Sequence, residues 1–411
     1  MEALADAGLL EYVVDGPTAP RFRMLETIRD YALARLAESG DADRIRRAHA
    51  RSYVMLAEAA TPHLLGPAQV AWTRRLDAEQ GNVRAALEWL LRDDVAGALR
   101  LASALERYWI RGRFLAEGRR WLEAALARAE GPTPVRARAL IAAGPLVADM
   151  GDLDRAEDLL REALAIYEAA EDAAGRALAL VGLGGVAFQR NDHARAHGLL
   201  GEALALYRQR SDRWGLADTL FRVGTISLAF YVVATHQRML SGPGGSPASL
   251  TVIGPAPYTL TQLADILGES HALFGLEGDL WSAAVMLSCL GTLAFLRGEH
   301  NQAYALTIEA LTSLRDLGDT AMIARMLQAL ALIVGARGEP RRGVRLFAAA
   351  ETLFAVVGVP WPAAHRSDMD GRLAVLRAPL SEDDFAAAWT EGAVMTLDAA
   401  IQEAARGAPS S

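Results

Sequence analysis

The stretch Leu178-Ala-Leu-Val-Gly-Leu-Gly-Gly-Val-Ala-Phe-Gln-Arg-Asn-Asp-His-Ala-Arg-Ala-His-Gly-Leu-Leu-Gly-Glu-Ala203 decides the fold. Its first half, Leu178 to Gln189, is apolar nearly all round, as expected of a helix sandwiched between its partner and a neighbour. Asn191-Asp192 then supplies a left-handed helix end followed by an acidic start to the next helix. Gly184, Ala196 and Ala203 have a direct use, because two helices approach closely only where no side chain holds them apart.

Outward from this stretch the pattern recurs. A leucine followed four positions later by a small residue occurs at Leu140/Gly144, Leu180/Gly184, Leu220/Gly224, Leu287/Gly291 and Leu327/Ala331, at spacings of 40, 40, 67 and 40 residues. Twelve residues beyond each small position stand Ala156, Ala196, Ala303 and Gly343, but in the third repeat the corresponding Leu263 lies 39 residues on. Both anomalies equal an excess of 27 residues, so an insertion is placed near 231–257. It holds Ser241-Gly-Pro-Gly-Gly-Ser-Pro-Ala248 and Gly254-Pro-Ala-Pro257, and a disordered loop is expected there. Beyond it the register resumes, with Ile266-Leu267 in the place of Leu159-Leu160. In the second helix of a repeat, Leu153, Ala156, Leu160, Ala163, Leu164 and Tyr167 form one amphipathic stripe. Gly151-Asp152, Gly298-Glu299 and Gly338-Glu339 punctuate the helix pairs as Asn191-Asp192 does.

Leu183, Gly184, Ala196, Leu200 and Ala203 match the pattern of tetratricopeptide repeats, and the resemblance covers roughly residues 132–358. It extends upstream through Arg113-Phe-Leu-Ala-Glu-Gly-Arg-Arg-Trp-Leu-Glu-Ala-Ala-Leu126. A 40-residue period, Pro145 inside a first helix and the insertion depart from the usual pattern. In the first 40 residues, Glu11–Val14 and Arg21–Leu25 are strand-like runs around Asp15-Gly-Pro17, followed by a helical run from Thr27 to Glu38. The segment Arg21-Phe-Arg-Met-Leu-Glu-Thr-Ile-Arg-Asp-Tyr-Ala-Leu33 resembles the junction after the winged-helix part of bacterial STAND-type regulatory ATPases. The run Asp384-Phe-Ala-Ala-Ala-Trp-Thr-Glu-Gly392 to Leu397-Asp-Ala-Ala-Ile401 is similar to the end of their helical region. The resemblance implies the sensor part of such a regulator without its ATPase core, starting at Met1 through truncation or a shortened gene.

The expected architecture is therefore all-α, a right-handed α-solenoid of TPR-like helix hairpins with a small strand-containing winged-helix remnant. Its expected segments are remnant and junction at 1–40, N-terminal helical hairpins at 41–131, repeats at 132–358 and a C-terminal helical cap at 359–411. Composition agrees: 411 residues suffice for two or three domains, and 52% hydrophobic with 22% charged residues excludes a disordered chain. Cys289 stands alone, so neither an internal disulfide nor a multi-cysteine zinc site forms. All 42 basic residues are arginine, which removes the lysine that a P-loop or a Schiff-base enzyme needs. The net charge of −8 argues against direct nucleic-acid binding. No signal peptide is read, and the uncharged run Leu280–Leu296 falls short of the roughly 20 residues that span a bilayer. A buried helix and a cytoplasmic protein are expected.

Motifs that mimic chemistry dissolve in context. Val181-Gly-Leu-Gly-Gly-Val-Ala187 fits a dinucleotide turn but lies inside a repeat helix rather than after a strand. His193 and His197 share a helix face but lack a third metal ligand, and Glu157 stands where a calcium loop begun by Asp152 and Asp154 needs glycine. Ser381-Glu-Asp-Asp384 reads as a helix start rather than an acid/base pair. Arg44-Ile-Arg-Arg47 and Arg341-Arg342 read as solvated faces, although arginine clusters also hold phosphate or carboxylate. No catalytic, cofactor or metal residue is assigned.

Stacked helix pairs present a concave groove lined by their first helices. Residues one and four positions beyond the small residue, and three before it, are taken to point away from the packed seam. This selects Phe188, Phe221, Thr225, Ser288, Thr292, Phe295 and Gln328 as partner-binding residues, together with Gln189 next to Phe188, core packing being the alternative for the three phenylalanines. The expected function is a non-enzymatic module binding a protein, peptide or small effector, as the sensor part of a bacterial signal-transducing transcriptional regulator. The alternatives are a regulatory partner of a separate NTPase, and a DNA-binding regulator acting through its N-terminal segment.

Overall fold

A computed structural model describes residues 4, 7–13, 21–64, 68–111, 114–241, 258–357 and 363–406. They fall into two compact units, Met1–Leu64 with Ala71–Ala170 and Leu65–Val70 with Glu171–Ser411. The fold is all-α, a solenoid of TPR-like helix hairpins, with one two-stranded ribbon at its start.

In the first unit β1 (Glu11–Val13) pairs antiparallel with β2 (Arg21–Arg23), Tyr12 opposite Phe22. The helices are α1 (Glu26–Glu38), α2 (Ala42–Ala60), α3 (Gln69–Asp93, from Ala71 on), α4 (Val95–Ala104), α5 (Glu106–Arg111), α6 (Leu115–Leu126), α7 (Pro134–Asp149) and α8 (Leu153–Ala169). Helix α1 buries none of its side chains, and Leu25, Tyr31 and Leu33 are exposed. In α2, Ala50, Val54, Ala57 and Ala60 recur at three- and four-residue steps and are buried, which marks its inward stripe. Helix α6 meets α5 at Gly118, where an added Cβ would strike the Trp109 ring at 2.6 Å, and Leu146 of α7 lies at 3.1 Å from the same point. Helix α7 runs through Pro145, and Gly144 admits Leu160 of α8.

The second unit begins with four hairpins: α9 (Ala173–Gln189) with α10 (His193–Arg210), α11 (Arg213–Ser241) with α12 (Leu260–Glu277), α13 (Leu280–Leu296) with α14 (His300–Leu317), and α15 (Thr320–Ala336) with α16 (Pro340–Val357). Each first helix packs on its own second helix, each second helix on the next first helix, and successive first helices lie side by side. The recurring small residue sits at the closest approach within each pair. A Cβ on Gly184 would meet Leu200 at 2.8 Å, one on Gly224 would meet Leu267, and one on Gly291 would meet the Thr307 hydroxyl. Helix α13 is buried almost all round, as its uncharged sequence requires, and no helix among the described residues is long and apolar enough to cross a membrane.

Punctuation follows the sequence. Asp152, Asp172, Asp192, Asp212, Asp279 and Asp319 each accept a backbone N–H of the first turn that follows. Ser381 caps its helix in the same way. The positions preceding these aspartates are left-handed, with Asn191 at φ 60° and Gly318 at φ 72°. One expectation is corrected: the segment from residue 231 is helical as far as Ser241, because no glycine or proline interrupts it before Gly242. Residues 242–257, the rest of the expected loop, and Asp15-Gly-Pro17 lie outside the described residues.

Helices α17 (Ala363–Arg377), α18 (Glu382–Ala393) and α19 (Leu397–Ala405) close the second unit against α15 and α16. A Cβ on Gly392 would collide with the Arg345 carbonyl, so α18 lies on the bare backbone of α16. Arg341 is half exposed and pairs with Asp384. Its neighbour Arg342 corrects the reading of this pair as a solvated face. It is 7% exposed, and its guanidinium donates to the carbonyls of Glu403 (2.8 Å), Ala404 (3.1 Å) and Arg406 at the end of α19. Tyr304 of α14 adds its hydroxyl to the Ala404 carbonyl at 2.6 Å. Cations on the last carbonyls of a helix satisfy otherwise orphaned acceptors and oppose the helix dipole.

Candidate partner-binding face

On each first helix of the second unit one stripe stays open to solvent. Measured from the small position it falls at offsets −10, −6, −2, +1 and +5, which at 3.6 residues per turn means about 80° to 160° around the helix. On α9 the stripe is Ala174, Leu178, Gly182, Gly185 and Gln189; on α11 it is Trp214, Asp218, Arg222 and Thr225. On α13 it is Trp281, Val285, Cys289, Thr292 and Leu296; on α15 it is Ala321, Arg325, Ala329, Leu332 and Ala336. Val285 alone among them is buried, at 8% exposure.

This geometry sorts the eight residues expected from the sequence. Gln189, Thr225 and Thr292 stand on the open stripe. The offsets −3 and +4 point only about 60° and 40° from the small position, onto the flank of the helix. Ser288 is accordingly buried at 9% exposure. Gln328 is 4% exposed, and its amide donates to Glu351 of α16 at 2.9 Å. Neither offers a surface to a ligand. The three phenylalanines are half buried in aromatic contacts, Phe188 with His193, Phe221 edge-on to Phe274 of α12, and Phe295 with His300. Trp214 and Trp281, which the sequence reading did not select, take equivalent stripe positions on adjacent helices, and counting back by fours from Thr225 and Thr292 in the sequence leads close to them.

The chemistry of the face is quiet. Asp218 and Arg222 pair along α11 at 3.0 Å. The hydroxyls of Thr225 and Thr292 donate to carbonyls of their own helices at 2.8 and 3.1 Å. Cys289 is half-buried, and desolvation pushes its thiol up to about 12. Trp281 donates its indole N–H to Asp319, the residue that caps α15. Among the described residues no group of three or more His, Cys, Asp or Glu could hold a metal. The His193/His197 pair is part of no such group. Burial, with His193 adding to it, lowers the His197 imidazole below its usual range; its two ring nitrogens have no hydrogen-bond partner, and Tyr258 lies edge-on to it.

Comparison with known proteins agrees with this architecture. Residues 135–209 match the model of the tetratricopeptide repeat family. Proteins of Mycobacterium bovis and Mycobacterium tuberculosis, each named as an HTH-type transcriptional regulator, are 38% identical to this chain over 129 residues, or 29% of its length. The similarity spans only 14% of the length of those regulators. The crystal structure of a Rap protein complexed with competence and sporulation factor shares the fold, with a TM-score of 0.52 at 12% identity over 88% of this chain and 99% of that one. Folds of this type are typically scaffolds for binding rather than enzymes.

Proposed function

We propose, for a chain whose helix hairpins are tetratricopeptide-like, that it is a non-enzymatic module gripping a protein, peptide or small effector on the open face of α9, α11, α13 and α15. Its setting in this reading is the sensor part of a bacterial signal-transducing transcriptional regulator of the STAND type. Residues 1–40 are then a winged-helix remnant, 41–131 the entering hairpins, 132–358 the repeats and 359–411 the closing cap. The observation that carries the reading is the stripe, mostly of small, apolar and hydroxyl side chains, that four successive first helices leave open except at Val285. Extended surfaces of this kind are what helical-repeat proteins use for recognition.

The test is site-specific photocrosslinking in the native cells. A benzophenone side chain at Thr225 or Thr292 is expected to capture a discrete partner, while the same probe at Glu202 on the outer side of α10 captures none. Adducts formed only from Glu202 overturn the assignment of the face.

A second reading, action through a separate NTPase subunit, is favoured by α1. Its uncovered Leu25, Tyr31 and Leu33 fit a helix that docks elsewhere. Removing residues 1–38 is then expected to abolish association with that subunit and to leave the thermal midpoint of the remainder unchanged.

A further inference from the structure

We infer that the occupant of this face is an uncharged peptide segment rich in aliphatic side chains, rather than an acidic or basic one. The inference rests on the open face proposed above and specifies what fits it. On the stripe the two central helices, α11 and α13, place one carboxylate and one guanidinium, Asp218 and Arg222, and these already pair with each other at 3.0 Å. A charged ligand side chain laid there loses its water against a pair that is already closed, which disfavours binding. Arg325, exposed on α15, is the only other charge on the stripe.

What the face does offer suits an uncharged backbone. Thr225 and Thr292 spend their protons on their own helices, so each turns only acceptor lone pairs outward, the complement of a peptide N–H. Trp214 and Trp281 stand half-buried at matching positions of adjacent helices, and rigid, partly desolvated aromatics are the usual anchors for aliphatic side chains. Towards the other end of the face, level with Arg222, Gly185 bares the backbone of α9. A Cβ there would find its nearest neighbour, the Arg222 guanidinium, at 4.0 Å, so the packing of the fold does not demand glycine at this position. Glycine in mid-helix weakens the helix, and close approach by a ligand backbone accounts for it.

The experiment is selection of a random twelve-residue phage-displayed peptide library on the full-length chain, with the enriched peptides re-measured on variants by fluorescence anisotropy. Gly185→Leu fills the bare strip with a strong helix former and so leaves the fold intact, which circular dichroism verifies. Gly201→Leu, on an exposed position of α10 with no atom near its Cβ, is the control. The expected result is enrichment of near-neutral peptides rich in Leu, Ile, Val and Met that bind Gly201→Leu normally and Gly185→Leu about tenfold or more weakly. Trp281→Ala is expected to weaken the same peptides. Acid-rich or basic peptides that lose affinity to Gly185→Leu overturn the stated chemistry and leave the face itself standing. Peptides indifferent to Gly185→Leu, or no enrichment at all, overturn both.

Discussion

Gly184 and Gly185 are chain neighbours with opposite meanings. The first meets Leu200 and the second meets nothing closer than 4.0 Å. Gly184→Leu is expected to overpack the α9/α10 seam and cost about 1–3 kcal/mol or more, whereas Gly185→Ala is expected to gain about 0.5–1 kcal/mol; urea unfolding of the two variants checks this. Gly184 was legible because its spacing recurs through the chain. The site was legible only in part, because a helix position is an angle: offsets of −3 and +4 turn Ser288 and Gln328 inward, and a count along the chain does not reveal how wide the buried arc is. His197 makes a second residue-scale prediction. Its imidazole is harder to protonate in the folded chain than in the unfolded one, so the unfolded state takes up the proton first. The stability this group contributes is full above its unfolded value of about 6.5 and drains away as the pH falls through that value and below it. His197→Phe keeps a ring beside Tyr258 and is expected to flatten the pH dependence of the melting temperature between about 7 and 5.

At the scale of elements, helix ends were the most legible feature, since a left-handed residue followed by an acidic cap is chemistry confined to two positions. Asp192→Ala is expected to lose about 1 kcal/mol through its missing bond to the Arg195 N–H. Two joints carry a strained residue where their counterparts carry glycine: Glu171 at φ 52° and Ser211 at φ 55°. Glu171→Gly and Ser211→Gly relieve about 1–2 kcal/mol of left-handed strain against about 0.5–1 kcal/mol of added chain freedom, so each is expected to raise the melting temperature slightly. The full length of α11 was not legible. The repeat spacing dated the insertion to residue 231, but Tyr231 to Leu240 contain no helix breaker, and the helix simply continues. Spacing locates extra residues without saying which of them are the extra ones.

At the scale of the whole molecule, the stacking of hairpins was readable because each depends only on its neighbours in sequence. The closure of the second unit was not. Arg342 and Glu403 stand 61 positions apart, and no periodicity links them. Deleting residues 396–411 takes the carbonyls of Glu403, Ala404 and Arg406 from this guanidinium and leaves it Glu339 and Tyr304, a change expected to cost about 1–3 kcal/mol beyond lost packing. Adding Arg342→Leu to the deletion is expected to restore part of that loss, measured by denaturant titration; a double variant no more stable than the deletion alone removes the guanidinium from the account.

The same arginine ties the last turn of α19 back to α16, so the two are expected to come apart together: hydrogen exchange in that turn and around Arg342 is expected to share one opening free energy.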